Sequence, residues 1–323
     1  MYEIYDRWPD IARNSYESNP DGVDFKDIDH IVFAGMGGSG AISDIFYSIL
    51  SKMDVHTSVV KGYLLPKTVD SDTLVVATSV SGNTVETLTV LDSVNKSGCK
   101  VVCFSSGGKM QEYCAKNKIE HRNVLQIHSP RASFTSFLYS MLKTLESIVP
   151  VKKEDITESI KHLEDTRKRI SWSNLSENNP SLNLAEWISG IPLIYYPWGM
   201  QVAAIRFKNS LQENAKTHAM TEDVIEASHN GIVCWEKPSD VKPILIEGQD
   251  DYIKTKERWE ILKEYFEKNK IEYREVLSVK GSILSKLINL IYLLDYSTIY
   301  YAVISGIDPS PIKSTDYVKK MMS

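Results

Sequence analysis

Two short stretches carry residues whose types and spacing could do chemistry. The first is FAGMGGSGAISD, Phe33 to Asp44, where Gly35, Gly37 and Gly40 form a G-x-G-x-x-G pattern between an apolar run and a helix-like segment. Glycines in such a turn let the backbone approach a ligand, and the N-terminus of the following helix favours an anion through its free N–H groups and its dipole. The second is TSVSGNTVET, Thr78 to Thr87, which sets Ser79, Ser81, Asn83 and Thr84 around Gly82 at the mouth of another helix. Donors in that number can cup phosphate oxygens without a lysine. Capping needs only one of them, with Ser81 or Asn83 as the cap and Glu86 in the first turn. The glycine pattern also suits a dinucleotide fold, but that use expects an acidic residue at the end of the second strand. Here the second strand, VHTSVV, runs into Lys61 and Gly62. The first loop therefore fits a phosphate or sugar hydroxyl, held by backbone N–H groups and Ser39, better than a nucleotide.

Alternating strands and helices must position both turns. HIVFAG reads as a buried strand, and SGAISDIFYSIL as a helix with Ile42, Ile45, Phe46 and Ile49 on one face. VHTSVV and TLVVATS are the next strands, followed by a helix in TVETLTVLDSVNK. KVVCFS and VLQIHS are the fourth and fifth strands, and RASFTSFLYSMLKTLESIV is a closing helix. This alternation implies a parallel sheet with helices on both faces. Residues 150–180 are charged and broken by Pro180. Their segment VKKEDITESIKHLEDTRKRI reads as a solvated helix connecting two domains. The second half repeats the grammar, with strands in IPLIYYPWG, KPILIEG and IEYREVL, helices in QVAAIRFKNSLQENAK and DYIKTKERWEILKEYFEKNK, and a final apolar helix before the tail IDPSPIKSTDYVKKMMS. The expected fold class is α/β: two doubly wound parallel-sheet domains of three α/β/α layers, over residues 1–150, with an N-terminal helix, and 151–323.

SVSGNTVET is similar to the phosphate-binding segment of SIS (sugar isomerase) domains, and GMGGSG resembles their companion loop. Two such domains in tandem resemble the bifunctional phosphoglucose/phosphomannose isomerases of archaea and bacteria, from about residue 25 to the C-terminus. The resemblance implies a sugar 6-phosphate substrate, with Ser79, Ser81 and Thr84 at the phosphate and Gly38 and Ser39 on the sugar side. SPRAS would then place Arg131 near the reacting carbons, QENAK would make Glu213 the catalytic base, EASHNGI would make His229 the ring-opening acid/base, and DPSPIKSTDYVKK would put Lys319 in the active site. It further implies a homodimer in which His229 comes from the partner chain. An aldose–ketose isomerase of this kind needs a base, an acid, an electrophile for the enediolate and a phosphate anchor, and neither metal nor redox cofactor. Read without the resemblance, Glu213 is an ordinary helix-surface glutamate, Lys319 a solvated lysine near a terminus, and His218 a rival to His229. Arg131 at a helix N-terminus opposes the dipole, a local conflict that leans towards function. The tail departs from the family at one point. A threonine hydroxyl there is associated with use of the mannose epimer, and this chain offers Ser310 and Ile312.

Composition bounds the rest. The chain has 323 residues, 42% hydrophobic and 24% charged, with net charge −5, which suits a globular protein and gives no broad basic surface for nucleic acid. MYEIYDRWPD is no signal peptide, and LINLIYLLDYSTIYYAVI is interrupted by Asp295, Ser297 and Thr298, so a buried helix is expected and no membrane span. Cys99, Cys103, Cys114 and Cys234 read as reduced thiols, and the expected location is the cytoplasm. No His/Glu cluster has metal-ligand spacing. The alternative from another class is a non-catalytic sugar-phosphate sensor built on SIS domains. Its expected basic helix-turn-helix segment is missing before residue 25.

Overall fold

The computed structural model describes residues 1–18 and 22–322. The chain divides into two compact units, one of residues 3–164 with 281–285, the other of residues 1–2, 165–280 and 286–323.

The N-terminal unit opens with helices α1 (Tyr2–Asp6) and α2 (Trp8–Glu17) and continues through β1 (His30–Ala34), α3 (Gly37–Leu50), β2 (His56–Val60), β3 (Thr73–Thr78), α4 (Val85–Val94), β4 (Lys100–Ser105), α5 (Gly108–Asn117), β5 (Glu120–Asn123), α6 (Phe134–Thr144) and the first part of α7 (Lys153–Ile170). Its five strands lie in the order β2-β1-β3-β4-β5, all parallel. The connection through α3 moves one way along the sheet and that through α4 the other. With right-handed crossovers they cover opposite faces. That is why β1 and β3 are buried along their whole length, with unbroken apolar runs at Ile31–Ala34 and Leu74–Ala77 and no polar alternation. Register sets Ala34 level with both Val60 and Ala77, so the turns after β1 and β3 leave the sheet side by side.

The C-terminal unit holds the end of α7, α8 (Pro180–Trp187), β6 (Ile191–Tyr196), α9 (Gln201–Ala215), β7 (Met220–Asp223), α10 (Val224–Ala227), a 3₁₀ turn at Gly231–Glu236, β8 (Val241–Glu247), α11 (Ile253–Lys268), β9 (Arg274–Leu277), most of α12 (Ile283–Ile304) and α13 (Lys313–Met322). Its parallel strand order is β7-β6-β8-β9. The same pattern as in the first sheet is present, without a counterpart of α5 and β5. Both units are therefore α/β with parallel sheets, as the strand–helix alternation implies.

Three expectations are corrected. The fifth strand is Glu120–Asn123 and not VLQIHS. It is a polar edge strand with one paired side, so it has no apolar run to announce it, and only Val124 continues its bonding, N–H to Ser105 O at 2.9 Å. Helix α7 is not simply solvated. Ile156, Ile160, Leu163 and Ile170 are buried at helical spacing beneath a charged surface, and Tyr139 shares a 2.7 Å hydrogen bond with Ser159. Pro180 starts a helix and does not break one: it is the first residue of α8, where Asn179 Oδ1 caps the N–H groups of Ser181 and Leu182 at 2.9 and 3.0 Å.

Helix α12 is long and apolar enough to cross a membrane, but 78% of its most apolar window is buried in the protein. Its interrupting carboxylate explains its place. Asp295 accepts hydrogen bonds from Arg206 Nε and Nη2 of α9 at 3.0 and 2.6 Å, and from Ser210 Oγ at 2.8 Å. One turn on, Asn214 Nδ2 donates to Thr298 Oγ1 at 2.8 Å. These polar pairs fix the register of α9 on α12 inside an otherwise apolar packing.

Candidate active site

In the first sheet, the order in which strands are added reverses between β1 and β3. Ligands of open α/β sheets bind at such a switch point, beyond the carboxyl ends of the strands. Both chemically suggestive turns emerge there. Met36, in extended conformation, precedes α3, and Thr84 precedes α4; neither helix start is capped by a side chain. Their first-turn N–H groups remain donors, which is the basis of anion binding at a helix start.

Close packing dictates the glycines. A Cβ at Gly35 would sit 3.0 Å from Thr78 O, and one at Gly40 would sit 2.9 Å from Gly35 O. Gly37 needs its glycine for another reason, a φ of +55° in open space. Gly38 lies against the backbone of Pro130 and Arg131, its virtual Cβ 3.3 Å from Pro130 O and 3.8 Å from Arg131 Cα. Arg131 is buried there, in a segment fixed by Ser133 Oγ, which bonds Ile127 N and O, and by the Trp8 indole N–H, which donates to Ala132 O at 3.0 Å. Thus the first loop and Arg131 meet within one unit. Lys61, standing where a ribose-binding acid would be, pairs with Asp44, whose carboxyl burial pushes above its ordinary range.

The second loop is laced to the turn after β4. Ser79 Oγ and Thr84 Oγ1 share a 2.8 Å hydrogen bond, and Ser79 is buried while Ser81 is exposed. Asn83 does not cap α4: its Oδ1 accepts from Lys109 N at 3.1 Å and its Nδ2 donates to Ser81 O at 3.0 Å. Ser81 is no cap either; Thr84 holds that position. Gly82, at φ +69°, lies so near Gly107 that a Cβ would come within 1.8 Å of Gly107 O. The Gly107–Gly108 pair after β4 is a supporting element that sequence reasoning passed over. Its signal was the double glycine directly after a strand, in FSSGGK.

The second sheet reverses between β6 and β8, and the turns there are Pro197–Met200 and Gly248–Asp251. Glu247, buried at the end of β8, has its carboxyl pushed up to about 7 by burial, against the opposing influence of Lys263. The turn after β8 is acidic, with Asp250 and Asp251, which makes it a poor phosphate cradle.

In the C-terminal unit, Glu213 stands in the last turn of α9, half-buried, on the wall of a cavity of about 780 Å³. Asn209, Gln212, Lys216 and His218 also line it, as do Ile307, Asp308 and residues 311–315. The cavity therefore gathers Glu213, His218 and the segment before α13. Ile312 lines it; Ser310 does not, and instead donates its N–H to Asp308 Oδ1 at 2.8 Å. His229 lies outside this cavity, exposed in the turn after α10, with its N–H on Glu226 O at 2.9 Å. Lys319 is exposed on α13, beyond the first-turn residues Lys313 to Thr315 that line the cavity. Lys216 is the residue of this site that the sequence did not single out, since a lysine after a helix has no distinguishing pattern. Among the described residues, no group of three His, Cys, Asp or Glu side chains is gathered that could hold a metal ion.

Comparison with known proteins follows the same division. Residues 24–149 match the SIS domain family, and residues 177–322 match the bacterial phospho-glucose isomerase C-terminal SIS domain. The chain is 32% identical to a bifunctional phosphoglucose/phosphomannose isomerase of Caldicellulosiruptor bescii, covering 100% of this chain and 99% of that protein. It is 29% identical to a D-glucosamine-6-phosphate 4-epimerase of Sulfolobus acidocaldarius, over 76% of this chain and 77% of the relative. Among solved structures, a hypothetical protein of Thermus thermophilus superposes with a TM-score of 0.77 at 14% identity, covering 98% of this chain and 89% of that one. At that identity the likeness is one of fold.

Proposed function

The chain belongs to the SIS-domain family of bifunctional phosphoglucose/phosphomannose isomerases, and we propose that it interconverts glucose 6-phosphate, and also mannose 6-phosphate, with fructose 6-phosphate. The observation that carries this reading is a carboxylate, Glu213, on the wall of a cavity of about 780 Å³ that the C-terminal segment also lines. The phosphate sits at the start of α4 among Ser79, Ser81 and Thr84, with Gly38 and Ser39 on the sugar side. His229 opens the ring, and Lys319 assists by holding charge near the ring oxygen. Glu213 then takes the proton from C2 or C1 and returns it to the other carbon through a cis-enediolate, whose negative charge Arg131 stabilises. Because proton uptake and return balance, the reaction consumes no oxidant or reductant and needs no cofactor from this residue set.

The exposure of His229 in its own chain supports a homodimer in which it completes a partner's site. Use of mannose 6-phosphate requires that the enediolate be reprotonated on either face. Ile312 on the cavity wall, in place of a hydroxyl, disfavours the rotation this needs and makes glucose 6-phosphate the better product. Incubation with fructose 6-phosphate in EDTA, with glucose and mannose 6-phosphate scored separately, tests the reading. Turnover to glucose 6-phosphate is expected. No turnover of fructose 6-phosphate, with 4-epimerisation of glucosamine 6-phosphate instead, would replace it by the epimerase reading. Sedimentation of an active monomer would remove the shared-site dimer.

A further inference from the structure

Helix α9 ends in a lysine whose side chain bridges two segments. Lys216 follows Ala215 in the left-handed conformation, at φ +56°, where glycine or asparagine is the ordinary choice. The backbone already closes this helix end: the N–H groups of Lys216 and Thr217 both donate to Leu211 O. Lys118 and Lys270 take the same conformation after α5 and α11, so what sets Lys216 apart is where its side chain goes. That side chain curls back over the helix terminus. Its Nζ donates to Glu213 O at 2.6 Å and lies 3.5 Å from Asn214 O and 3.3 Å from Asp308 O. A cation suits the end of a helix, where carbonyls have no intrahelical partner. Here the same cation also takes a carbonyl from the C-terminal segment.

That segment lines the same cavity as Glu213. Asp308 begins it, with its carboxylate folded onto the Ser310 N–H and held below the ordinary range chiefly by that bond. Pro311 to Thr315 continue the wall, and α13, which follows, buries no residue. We propose that Lys216 is a positioning residue: its ammonium clamps Asp308 to the end of α9 and so holds the C-terminal segment against Glu213. The inference deepens the isomerase reading and rests on it for the catalytic consequence, since Glu213 acts only when that wall keeps the substrate in place.

Three variants of the full chain, Lys216→Gly, Lys216→Met and Lys216→Arg, test the clamp by two measurements. The first is hydrogen–deuterium exchange of residues 306–322, which requires no activity. The second is kcat and KM for fructose 6-phosphate. Glycine keeps the left-handed turn and removes the ammonium, so Lys216→Gly should melt no lower than the wild type. Exchange of 306–322 should nevertheless rise about tenfold, and kcat should fall about 10- to 100-fold with a smaller change in KM. Lys216→Met should match it, and Lys216→Arg should recover most of both losses. Wild-type exchange and wild-type kcat in Lys216→Gly would overturn the proposal, leaving the residue a helix end and nothing more. Faster exchange with unchanged kcat would overturn the link to Glu213. An inactive wild type would dispose of the isomerase reading, while the exchange result would still decide whether Lys216 holds the segment.

Discussion

Replacing Arg206 by methionine removes a guanidinium and keeps most of the side-chain volume. Asp295 is fully buried and accepts hydrogen bonds from that guanidinium at 3.0 and 2.6 Å, and another from Ser210. Hydrogen bonds to charged groups contribute about 1.5–3 kcal/mol each, and breaking a buried ion pair by removing one partner costs about 3–5 kcal/mol. The two lost bonds give about 3–6 kcal/mol and the broken pair about 3–5 kcal/mol for Arg206→Met, most of it from the carboxylate left buried without its counter-charge. At about 2–4 °C per kcal/mol for a domain of this size, the melting temperature should fall by on the order of 10 °C. The paired change Arg206→Met with Asp295→Leu removes both charges and should recover most of the loss, since apolar replacements of buried pairs are commonly neutral or better. Urea denaturation of wild type, both single variants and the double variant gives the coupling energy directly. A loss below about 1 kcal/mol for Arg206→Met, or a double variant no more stable than the singles, would refute the claim that this pair registers α9 on α12.

Two glycines should respond differently to alanine. Gly37→Ala meets only the left-handed backbone cost, about 1–2 kcal/mol, whereas Gly82→Ala also drives a Cβ into Gly107 O and should lose about 2–4 kcal/mol and raise KM for the sugar phosphate, both read by denaturation and steady-state kinetics. His30 is buried, stacked on His56 at 4.2 Å and bonded to Ser58 Oγ at 2.9 Å. Burial first, and His56 second, hold its pKa below 6.5. The unfolded chain therefore takes up this proton more readily, and stability present above pH 6.5 is lost as pH falls through that value. Denaturation of His30→Gln should show a shallower decline than wild type between about pH 6.5 and 5; an identical slope would clear His30 of the effect. Ile312→Thr should raise the ratio of mannose to glucose 6-phosphate formed from fructose 6-phosphate, measured by separate coupled assays, and an unchanged ratio would exclude Ile312 as the epimer-discriminating position.

Strand–helix alternation made the parallel α/β architecture legible, because buried parallel strands leave uninterrupted apolar runs such as LVVA in β3. The edge strand Glu120–Asn123 was not legible for the converse reason: with one paired neighbour and only His121 and Arg122 half-buried, it has no apolar signature. Helix α7 was misread because its charges outnumber its four buried apolar residues. Asp295 shows how far sequence could go. Its presence argued for a buried helix, but its partner Arg206 lies 89 positions earlier, and no local pattern joins them. At the site, turn chemistry marked both loops. The assignment of Ser81 or Asn83 as a cap failed because the turn after β4 takes Asn83 for itself. Lys216 escaped notice because its φ and its reach to Asp308 exist only in three dimensions.

The central claim is that Glu213 is the base of an aldose–ketose isomerase. The most direct test is the rate of glucose 6-phosphate formation from fructose 6-phosphate by Glu213→Gln beside the wild type, with thermal melts showing both folded. Removing a general base costs about 10²- to 10⁴-fold in rate, and a fall within or beyond that range, with little change in melting temperature, is the predicted result. A folded Glu213→Gln that turns over at the wild-type rate would contradict the account.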